Sequence, residues 1–401
     1  MEKAGGRPLF RVWGEMNQLQ QFSLIKSLVR LESQLAALEF PAYGNLYRRD
    51  SVTPQLHSEV PIDDEYCLGP MYNASWFPQP NNGIYAGPWK GLSELGLALT
   101  GRGLDRLQNS TFAPRGPHFG ALSEHTEILE ATKSIIPALV DWPIIQKLSK
   151  PTLWHTDLHM GNIYVSEEDP TTIVGIIDWQ FTSIMPAFMQ VQWPTFLEPP
   201  DNYEIGPVKP ELPANFDVMD EDERAFAKTK NNQALVAKCY EASFAKHQSP
   251  AFQVLSRKYC PVRHLFLFCD NTTKNGIIPL RDSLTDIIGN WTEMGLGDTC
   301  PFRINDVDLS KHQQEFARYK DWQKLKGYTQ ELLHTDDDGW VSPQLDFDKV
   351  RAKHDELFQI YMELETKAIS KSEAERLWFY VEQPNTTAQV LLEKEPSDPP
   401  R

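Results

Sequence analysis

The sequence predicts a mainly α-helical protein with small β-hairpins. Leucines recur across 18–39 at alternating spacings of four and three residues, which is the pattern of one apolar helix face. Further helical patterns occur downstream, at 219–247, 280–294, 310–333 and 348–380. The segment 154–180 lies between the first helix and these downstream helices, and in it short apolar runs alternate with turn residues. Together these observations indicate helices packed around one small strand-rich segment.

The N-terminal part of the chain begins with a predicted extended arm over residues 1–10, because Gly5-Gly6 followed by Pro8 is turn chemistry. The helix at 18–39 ends before Pro41, which cannot continue it. Residues 43–120 are rich in Gly, Pro, Asn and aromatics, so we expect irregular loops and a short hairpin there. Loops of this length are either functional or a covering over the helical core.

A second helical region is predicted over 123–150, capped by Ser123 and broken by Pro137 and Pro143. Strands are expected at 163–165 and 173–177, joined by a turn, and a Pro-rich crossing segment at 186–213.

The C-terminal part is predicted to be helical. The acidic run at 220–223 suits the N-terminus of the helix at 219–247. Residues 348–380 form one long charged helix or a helix pair, and 384–401 carry no periodic pattern and are expected to be disordered.

Composition narrows the classes of function. The formal charge of −16 over 401 residues argues against a nucleic-acid partner and against anionic membrane surfaces. An acidic protein can favour a cationic substrate, although solubility is the simpler explanation. The five cysteines form no C-x-x-C pair, which indicates reduced thiols. No apolar run approaches the roughly 18 residues that span a bilayer, so no membrane span is expected.

The candidate chemistry lies in 154–180. His155, Asp157 and Asn162 form the pattern H-x-D-L-x-x-x-N, and Asp178 follows an apolar run. Phosphoryl transfer needs a carboxylate near the attacking hydroxyl, and an amide and a second carboxylate to hold Mg²⁺. Each residue alone is more often an ordinary turn residue, but the four together at this spacing indicate phosphotransferase ancestry.

Each side chain in this segment has an expected role. Asp157 accepts or orients the proton of a substrate hydroxyl, and Asn162 and Asp178 are the predicted Mg²⁺ ligands. His155 is expected to hold the loop by hydrogen bonds rather than to react. Gly161 is expected to let the backbone turn before Asn162. His159 either touches substrate or packs.

The stretch HTDLHMGN followed by IIDW resembles the aminoglycoside phosphotransferase and choline kinase-like superfamily. This resemblance implies the helical, C-terminal lobe of a protein-kinase-like fold. It also implies Asp157 as catalytic base, assisted by His155, with Asn162 and Asp178 on Mg²⁺ and ATP as phosphoryl donor. Asp178-Trp179-Gln180 is the D-W variant typical of small-molecule kinases, so the implied acceptor is a hydroxyl on a small molecule.

Flanking stretches resemble one fungal branch of that superfamily, the proteins grouped with altered inheritance of mitochondria protein 9. The stretches are PLFRVW, FPAYGNLYRRD, IIPLRDSL and TDDDGW. This branch implies a mitochondrial location. No import signal is seen in the sequence, and a cytoplasmic location is the alternative.

MEKAGGRPL resembles the family's interlobe hinge, where the chain passes the adenine, so Glu2 and Ala4 are the implied nucleotide contacts. The expected organisation is a hinge remnant at 1–10, the helical lobe with the catalytic loop at 11–200, a helical extension of that lobe at 201–383, and the tail at 384–401. The family's N-terminal lobe, with its strand lysine and phosphate loop, is then missing. A truncated gene model and a lobe-less regulatory remnant are both compatible with this, and the intact catalytic residues favour the former.

Two functions follow as expectations. The first is an ATP- and Mg²⁺-dependent phosphotransferase acting on a small-molecule hydroxyl, weakly active or inactive as this chain. The second is a non-catalytic interaction or regulatory protein that keeps the helical lobe. Trp179 and Trp193, together with the negative net charge, suggest a cationic amine as acceptor, held by cation–π contact. Such tryptophans are more often core residues.

Overall fold

The structure is a computed structural model that describes residues 3–51, 59–71, 86–109, 119–180, 182–247, 250–255, 261–297, 299–335, 339, 341 and 345–380. Within these residues the protein is mostly helical, with small antiparallel sheets, as the sequence predicts. Glu2 and the tail at 384–401 lie outside the described residues. No helix in the described ranges is long and apolar enough to cross a membrane.

The strands are short. They are β1 (Arg7–Pro8), β2 (Asn45–Arg48), β3 (Val60–Pro61), β4 (Tyr66–Gly69), β5 (Pro151–Leu153), β6 (Ile163–Val165), β7 (Ile173–Ile176) and β8 (Ile184–Pro186). They form three antiparallel sheets with the orders β1-β6-β7, β2-β4-β3 and β5-β8.

The helices make up most of the fold. They are α1 (Gln18–Ala37), α2 (Leu92–Asn109), α3 (Leu122–Asp141), α4 (Pro143–Leu148), α5 (Ala187–Gln190), α6 (Glu221–Lys246), α7 (Pro250–Leu255), α8 (Pro261–Phe268), α9 (Thr272–Asn275), α10 (Ile278–Gly289), α11 (Asp306–Leu333), α12 (Phe347–Glu365) and α13 (Lys371–Leu377).

The predicted N-terminal arm is part of a sheet. Arg7 pairs with Val165 and Pro8 with Tyr164, so β1 lies antiparallel to β6, the strand that follows the catalytic loop. Gly6 makes this approach possible: its φ is +74°, and a Cβ there would lie 2.2 Å from the carbonyl oxygen of Val165. The beginning of the chain is therefore fixed against the catalytic segment.

The first helix forms as predicted and packs against α6. Leu24 and Leu28 of the predicted leucine stripe are fully buried, whereas Leu38 lies beyond the helix and is 46% exposed. Asn17 caps the N-terminus, because its side chain accepts from the backbone of Gln20 and the Gln20 side chain returns the contact. The helix ends at Ala37, before Pro41 is reached.

The prediction of irregular loops over 43–120 is wrong in part, because this stretch contains α2 and the β2-β4-β3 sheet. Two of the glycines in this Gly-rich stretch serve close helix packing. A Cβ on Gly103 would lie 2.4 Å from the carbonyl oxygen of Cys269, and one on Gly96 would lie 3.1 Å from Ile136 and Phe266. Helix α2 can approach its neighbours only where side chains are absent.

The second helical region also differs from its prediction. Pro137 lies inside α3 without ending it, whereas Pro143 is the first residue of α4, a position that proline favours. Proline at 137 deprives the Lys133 carbonyl of its helical donor. Lys133 is exposed, so water can replace that donor. The helix also begins before Ser123, at Leu122 after Ala121, whose N–H donates to Glu124 Oε2 at 2.9 Å.

A buried ion pair joins α2 to the turn after α8. Arg102 Nη1 lies 2.6 Å from Asp270 Oδ2, and the Arg102 side chain is 1% exposed. Burial lowers the pKa of Arg102 to about 10 and raises that of Asp270. Each charge is thus stabilised by its partner, and Arg106 Nη1 lies 3.9 Å from the same Asp270 oxygen, so removal of Arg102 would leave Asp270 with the weaker of its two ion pairs.

The hydrophobic core runs from Leu9 to Trp291 and joins α1, α3, α6, α8 and α10. The C-terminal stretch forms a helix pair, α12 and α13, which is the second of the two predicted alternatives. Its own small apolar cluster contains Tyr361, Met362, Ala374 and Trp378. The predicted domain boundaries at 200 and 383 stay predictions.

A buried carboxyl group lies in the interface between α1 and α6. Glu32 is 4% exposed, and Tyr240 Oη donates to its Oε2 at 2.9 Å. Burial raises the pKa of Glu32 from 4.5 to about 8, and the Tyr240 hydrogen bond opposes this rise. Glu32 is therefore a neutral carboxylic acid in the folded protein at neutral pH.

We expect Glu32 to make stability fall as pH rises. Below about pH 4.5 Glu32 is protonated in both the folded and the unfolded protein. Between about pH 4.5 and about pH 8 only the folded protein keeps this proton. At about 1.4 kcal/mol per unit of pKa difference, the free energy of unfolding falls by several kcal/mol across this range. Urea denaturation across this range should show the free energy of unfolding of the wild type falling relative to Glu32→Gln. The exposed Glu127→Gln is the control, and a parallel response of all three proteins would refute the assignment.

Candidate active site

The catalytic loop connects β5 to β6 and is anchored at both ends. Trp154 is 1% exposed and packs against Phe244 of α6, with ring centroids 6.1 Å apart. Gln192 Nε2 donates to the carbonyl of Thr156 at 2.6 Å. Tertiary contacts thus hold the loop immediately before Asp157.

Three hydrogen bonds link the predicted site residues, and we call them the loop clasp. Asn162 Nδ2 donates to the carbonyl of Asp157, the N–H of Ile177 donates to the carbonyl of Asn162, and His155 Nε2 donates to the carbonyl of Ile177, each at 2.9 Å. Ile177 directly precedes Asp178. The clasp therefore brings all four predicted catalytic-segment residues into one unit.

His155 is placed to hold the loop, as its sequence position suggested. Its ring is 6% exposed and stands edge-on to Trp179, with centroids 4.8 Å apart. A carbonyl oxygen can only accept, so Nε2 carries the proton toward Ile177. In the neutral ring Nδ1 is then the acceptor, and this buried atom has no hydrogen-bond partner in the described structure.

Asp178 has an uncommon backbone conformation. Its φ is +65°, which few residues other than glycine adopt, although aspartate tolerates it better than most. The next residue stabilises the turn, because Trp179 Nε1 donates to the carbonyl of Ile176 at 2.9 Å. The Asp178 side chain is exposed after β7, as the prediction of a ligand at a strand end requires.

Asp157 presents its carboxylate to solvent while its backbone is fully engaged. Its carbonyl accepts from Asn162 Nδ2 and also from the N–H of His159 at 3.2 Å. The side chain is exposed. A carboxylate held by its backbone and free at its tip suits a group that must meet a substrate hydroxyl.

The residues present fit a Mg²⁺ ion bound together with phosphates. Asn162 is 5% exposed and its Nδ2 is used in the loop clasp, so its Oδ1 is the atom left for a cation. The described residues contain no cluster of three or more His, Cys, Asp or Glu side chains suited to a metal. Mg²⁺ typically uses one or two carboxylates and completes its shell with water and substrate phosphates. Asn162 and Asp178 match that incomplete set.

Gly161 lies in the predicted turn before Asn162, where the N–H of Asn162 donates to the carbonyl of His159 at 3.0 Å. It does not adopt a left-handed conformation, but a Cβ there would lie 2.7 Å from His159 Cε1. The His159 ring folds back onto the loop, and its Nδ1 accepts from the N–H of Gly161 at 3.0 Å. The glycine therefore also leaves space for His159.

The remaining predicted residues are placed as follows. Ala4 lies three residues before β1 and is partly buried, and Glu2 is not described. Trp179 contacts the site through His155, whereas Trp193 packs in the core against Tyr203 and Tyr240. Trp193 therefore has the core role that the sequence left as the more frequent alternative.

A cavity that the sequence did not predict lies beside the catalytic loop. It has a volume of about 510 Å³ and is lined by Phe10, His159, Met160, Gly161, Thr195 and Phe196. Half of these residues come from the catalytic loop and the others from segments distant in sequence.

We expect Asn162→Asp to destabilise the fold while keeping an oxygen for a cation. Aspartate cannot donate to the Asp157 carbonyl, and its buried carboxylate would face that carbonyl instead, which we expect to cost about 1–3 kcal/mol. The free energy of unfolding from urea denaturation should fall by that amount. Asn290→Asp is the matched control, because Asn290 Nδ2 donates to the Asp286 carbonyl at 2.8 Å on an exposed surface. Equal losses in both variants would contradict the role of the loop clasp.

Comparison with known proteins agrees with this geometry. Residues 102–191 match the model of the phosphotransferase enzyme family, a range that includes the whole catalytic loop and Asp178. A subtelomeric hrmA-associated cluster protein of Aspergillus fumigatus is 23% identical over 388 residues, which cover 86% of this chain and 74% of the relative.

Two mitochondrial proteins are also similar. Altered inheritance of mitochondria protein 9 of Candida glabrata is 24% identical, over 82% of this chain and 55% of its own length. The protein of the same name from Yarrowia lipolytica is 23% identical, over 79% of this chain and 57% of its own length. No solved structure matches the chain. The resemblance predicted from the sequence, to the phosphotransferase family and to the branch of altered inheritance of mitochondria protein 9, is therefore confirmed.

Proposed function

We propose that this chain carries the catalytic half of an ATP- and Mg²⁺-dependent phosphotransferase that acts on a hydroxyl of a small molecule. The observation that supports this most directly is the loop clasp. It joins a solvent-facing carboxylate at Asp157 to an amide oxygen at Asn162 and a second carboxylate at Asp178. Phosphoryl transfer requires these three oxygen donors in one rigid frame.

The proposed role of each residue follows from those of its side-chain atoms that the loop clasp does not use. Asp157 would orient the acceptor hydroxyl and take its proton as the oxygen bonds to the γ-phosphorus and ADP leaves with the bridging oxygen. Asn162 Oδ1 and the Asp178 carboxylate would hold Mg²⁺, which would neutralise charge on the phosphates. His155 is a positioning residue, because it reaches the site only through the Ile177 carbonyl. The helical, kinase-like lobe is the scaffold that fixes this arrangement.

Nucleotide binding is expected to be weak, because the proposed contacts among the described residues are few: Ala4, Asn162 and Asp178. Mg-ATP is then held mainly through Asn162 and Asp178. Glu2 and Ala4 remain the proposed contacts to adenine.

We expect calorimetry to separate the two aspartates. The wild-type chain should bind Mg-ATP with a Kd near about 1 mM, which corresponds to about −4 kcal/mol. Asp178→Asn should abolish detectable binding because it removes a metal ligand. Asp157→Asn should leave the Kd within about twofold, yet lower any phosphoryl transfer by on the order of 10²–10⁴-fold.

Asp141→Asn is the control for these measurements, because Asp141 is an exposed aspartate at the end of α3. A Kd for Mg-ATP in the low micromolar range would contradict the expected weak binding. Binding that is unchanged in Asp178→Asn would contradict the metal assignment. Binding that depends on Asp178 without transfer to any hydroxyl compound would favour the non-catalytic alternative.

A mitochondrial location is part of the proposal, because two of the relatives named above carry that location in their names. A C-terminally tagged protein, expressed from its natural reading frame, should co-sediment with mitochondrial markers in cell fractionation. Recovery in the cytosolic fraction would contradict this location and favour the cytoplasmic alternative.

A further inference from the structure

The cavity beside the catalytic loop has walls that the proposed transfer chemistry does not use. Its volume of about 510 Å³ lies within the range of small-molecule sites. Phe10 and Phe196 supply aromatic walls, and Met160 adds a thioether side chain. The surface offered to a ligand is thus mainly apolar, with polar groups confined to His159 and Thr195.

Both aromatic walls are held in place. The N–H of Phe10 donates to the carbonyl of Met160 at 3.3 Å, which ties this residue to the catalytic loop. The ring of Phe196 packs edge-on against Trp13, with centroids 5.3 Å apart. Phe10 is nevertheless 55% exposed. A large aromatic side chain fixed at a site yet open to solvent is suited to ligand contact.

The cavity and the proposed proton acceptor share one loop. His159, Met160 and Gly161 lie between Asp157 and Asn162 in the sequence and form one wall. The N–H of His159 donates to the Asp157 carbonyl, and the N–H of Asn162 donates to the His159 carbonyl at 3.0 Å. A compound in the cavity therefore contacts the same loop that presents the Asp157 carboxylate.

Charge at the cavity disfavours a cation. Its described lining contains no carboxylate. The guanidinium carbon of Arg11 lies 5.9 Å from the centroid of the Phe10 ring, so a positive charge already takes this cation–π position. A second positive charge on a ligand would be repelled by Arg11.

We propose that this cavity binds the acceptor through its apolar body, and that the acceptor is a hydroxyl compound without a positive charge. Thr195 and His159 orient it: because His159 Nδ1 accepts from Gly161, the neutral ring carries its proton on Nε2 and can donate. The proposal rests on the phosphotransferase function above. It replaces the cationic amine suggested by composition and by the tryptophans.

Binding is tested first, without nucleotide, so that its outcome is independent of transfer. The probes are naphthaleneethanol and the amino alcohol of the same skeleton, which is protonated near neutral pH. Ligand-observed NMR titration of the full chain should show the neutral alcohol binding at least about tenfold more tightly. Phe10→Ala should weaken that binding by about tenfold, because an aromatic wall is lost.

Further variants keep the test decisive. Thr195→Trp fills the cavity from an exposed position and should abolish binding even if Phe10→Ala perturbs the fold. Leu19→Ala, at a side chain that is 79% exposed on α1, should leave binding unchanged. Arg11→Glu should reverse the preference between the two probes. Equal binding of both probes, or binding unaffected by Thr195→Trp, would overturn the proposal.

Transfer distinguishes this proposal from the function on which it rests. With Mg-ATP present, phosphorylation of neutral apolar alcohols in preference to amino alcohols supports both. Phosphorylation of the amino alcohol alone would overturn the acceptor class and leave the phosphotransferase function standing. Selective binding of the neutral probe with no phosphorylated product supports the cavity assignment and counts against the function.

Discussion

The site depends on one constraint, the need of the Asp157 carbonyl for a donor. That carbonyl lies in a loop, where no helix or sheet supplies a partner; the N–H of His159 donates to it at 3.2 Å, and the side chain of Asn162 donates at 2.9 Å. Asn162 in turn accepts from Ile177, and His155 completes the loop clasp. A backbone group left unsatisfied here would cost about as much as a lost hydrogen bond, so the catalytic residues are also the residues that satisfy the loop.

This arrangement explains why an amide is used at position 162. An amide has a donor and an acceptor on the same planar group, so the nitrogen can serve the fold while the oxygen serves a cation. A carboxylate offers only acceptors, and a hydroxyl is too short to span both. Structural and chemical demands thus converge on the same side chain. The same loop also lines the cavity through His159, Met160 and Gly161.

Sequence patterns predicted those parts of the molecule that depend on local order. The leucine spacing predicted α1. The H-x-D-L-x-x-x-N pattern gave three of the candidate site residues, and the apolar run before Asp178 gave the fourth. Gly96 and Gly103 misled the prediction over α2, because their function is close approach to residues far along the chain. Pro137 misled the prediction for α3 for a related reason. The cost of a proline inside a helix depends on whether the carbonyl that loses its hydrogen bond, here that of Lys133, faces water.

The cavity was beyond sequence reasoning altogether. Phe10 and Phe196 meet the catalytic loop only through tertiary contacts, and nothing in their local sequence indicates that they share a site. The atomic partners within the loop clasp were equally inaccessible. The residue types predicted which chemistry was present. They did not predict which ring nitrogen of His155 would form a hydrogen bond, or which carbonyl the Asn162 amide would donate to.

The pairing of β1 with β6 has a consequence for synthesis on the ribosome. Arg7 and Val165 are partners, and 165 − 7 gives a separation of 158 residues. At about 5–20 residues per second, the ribosome needs roughly 10–30 s to deliver the partner strand after the arm has been made. Throughout this interval the arm cannot form its strand pairing with β6. Phe196 follows later still, so the acceptor cavity can be completed only when about half of the chain has been made.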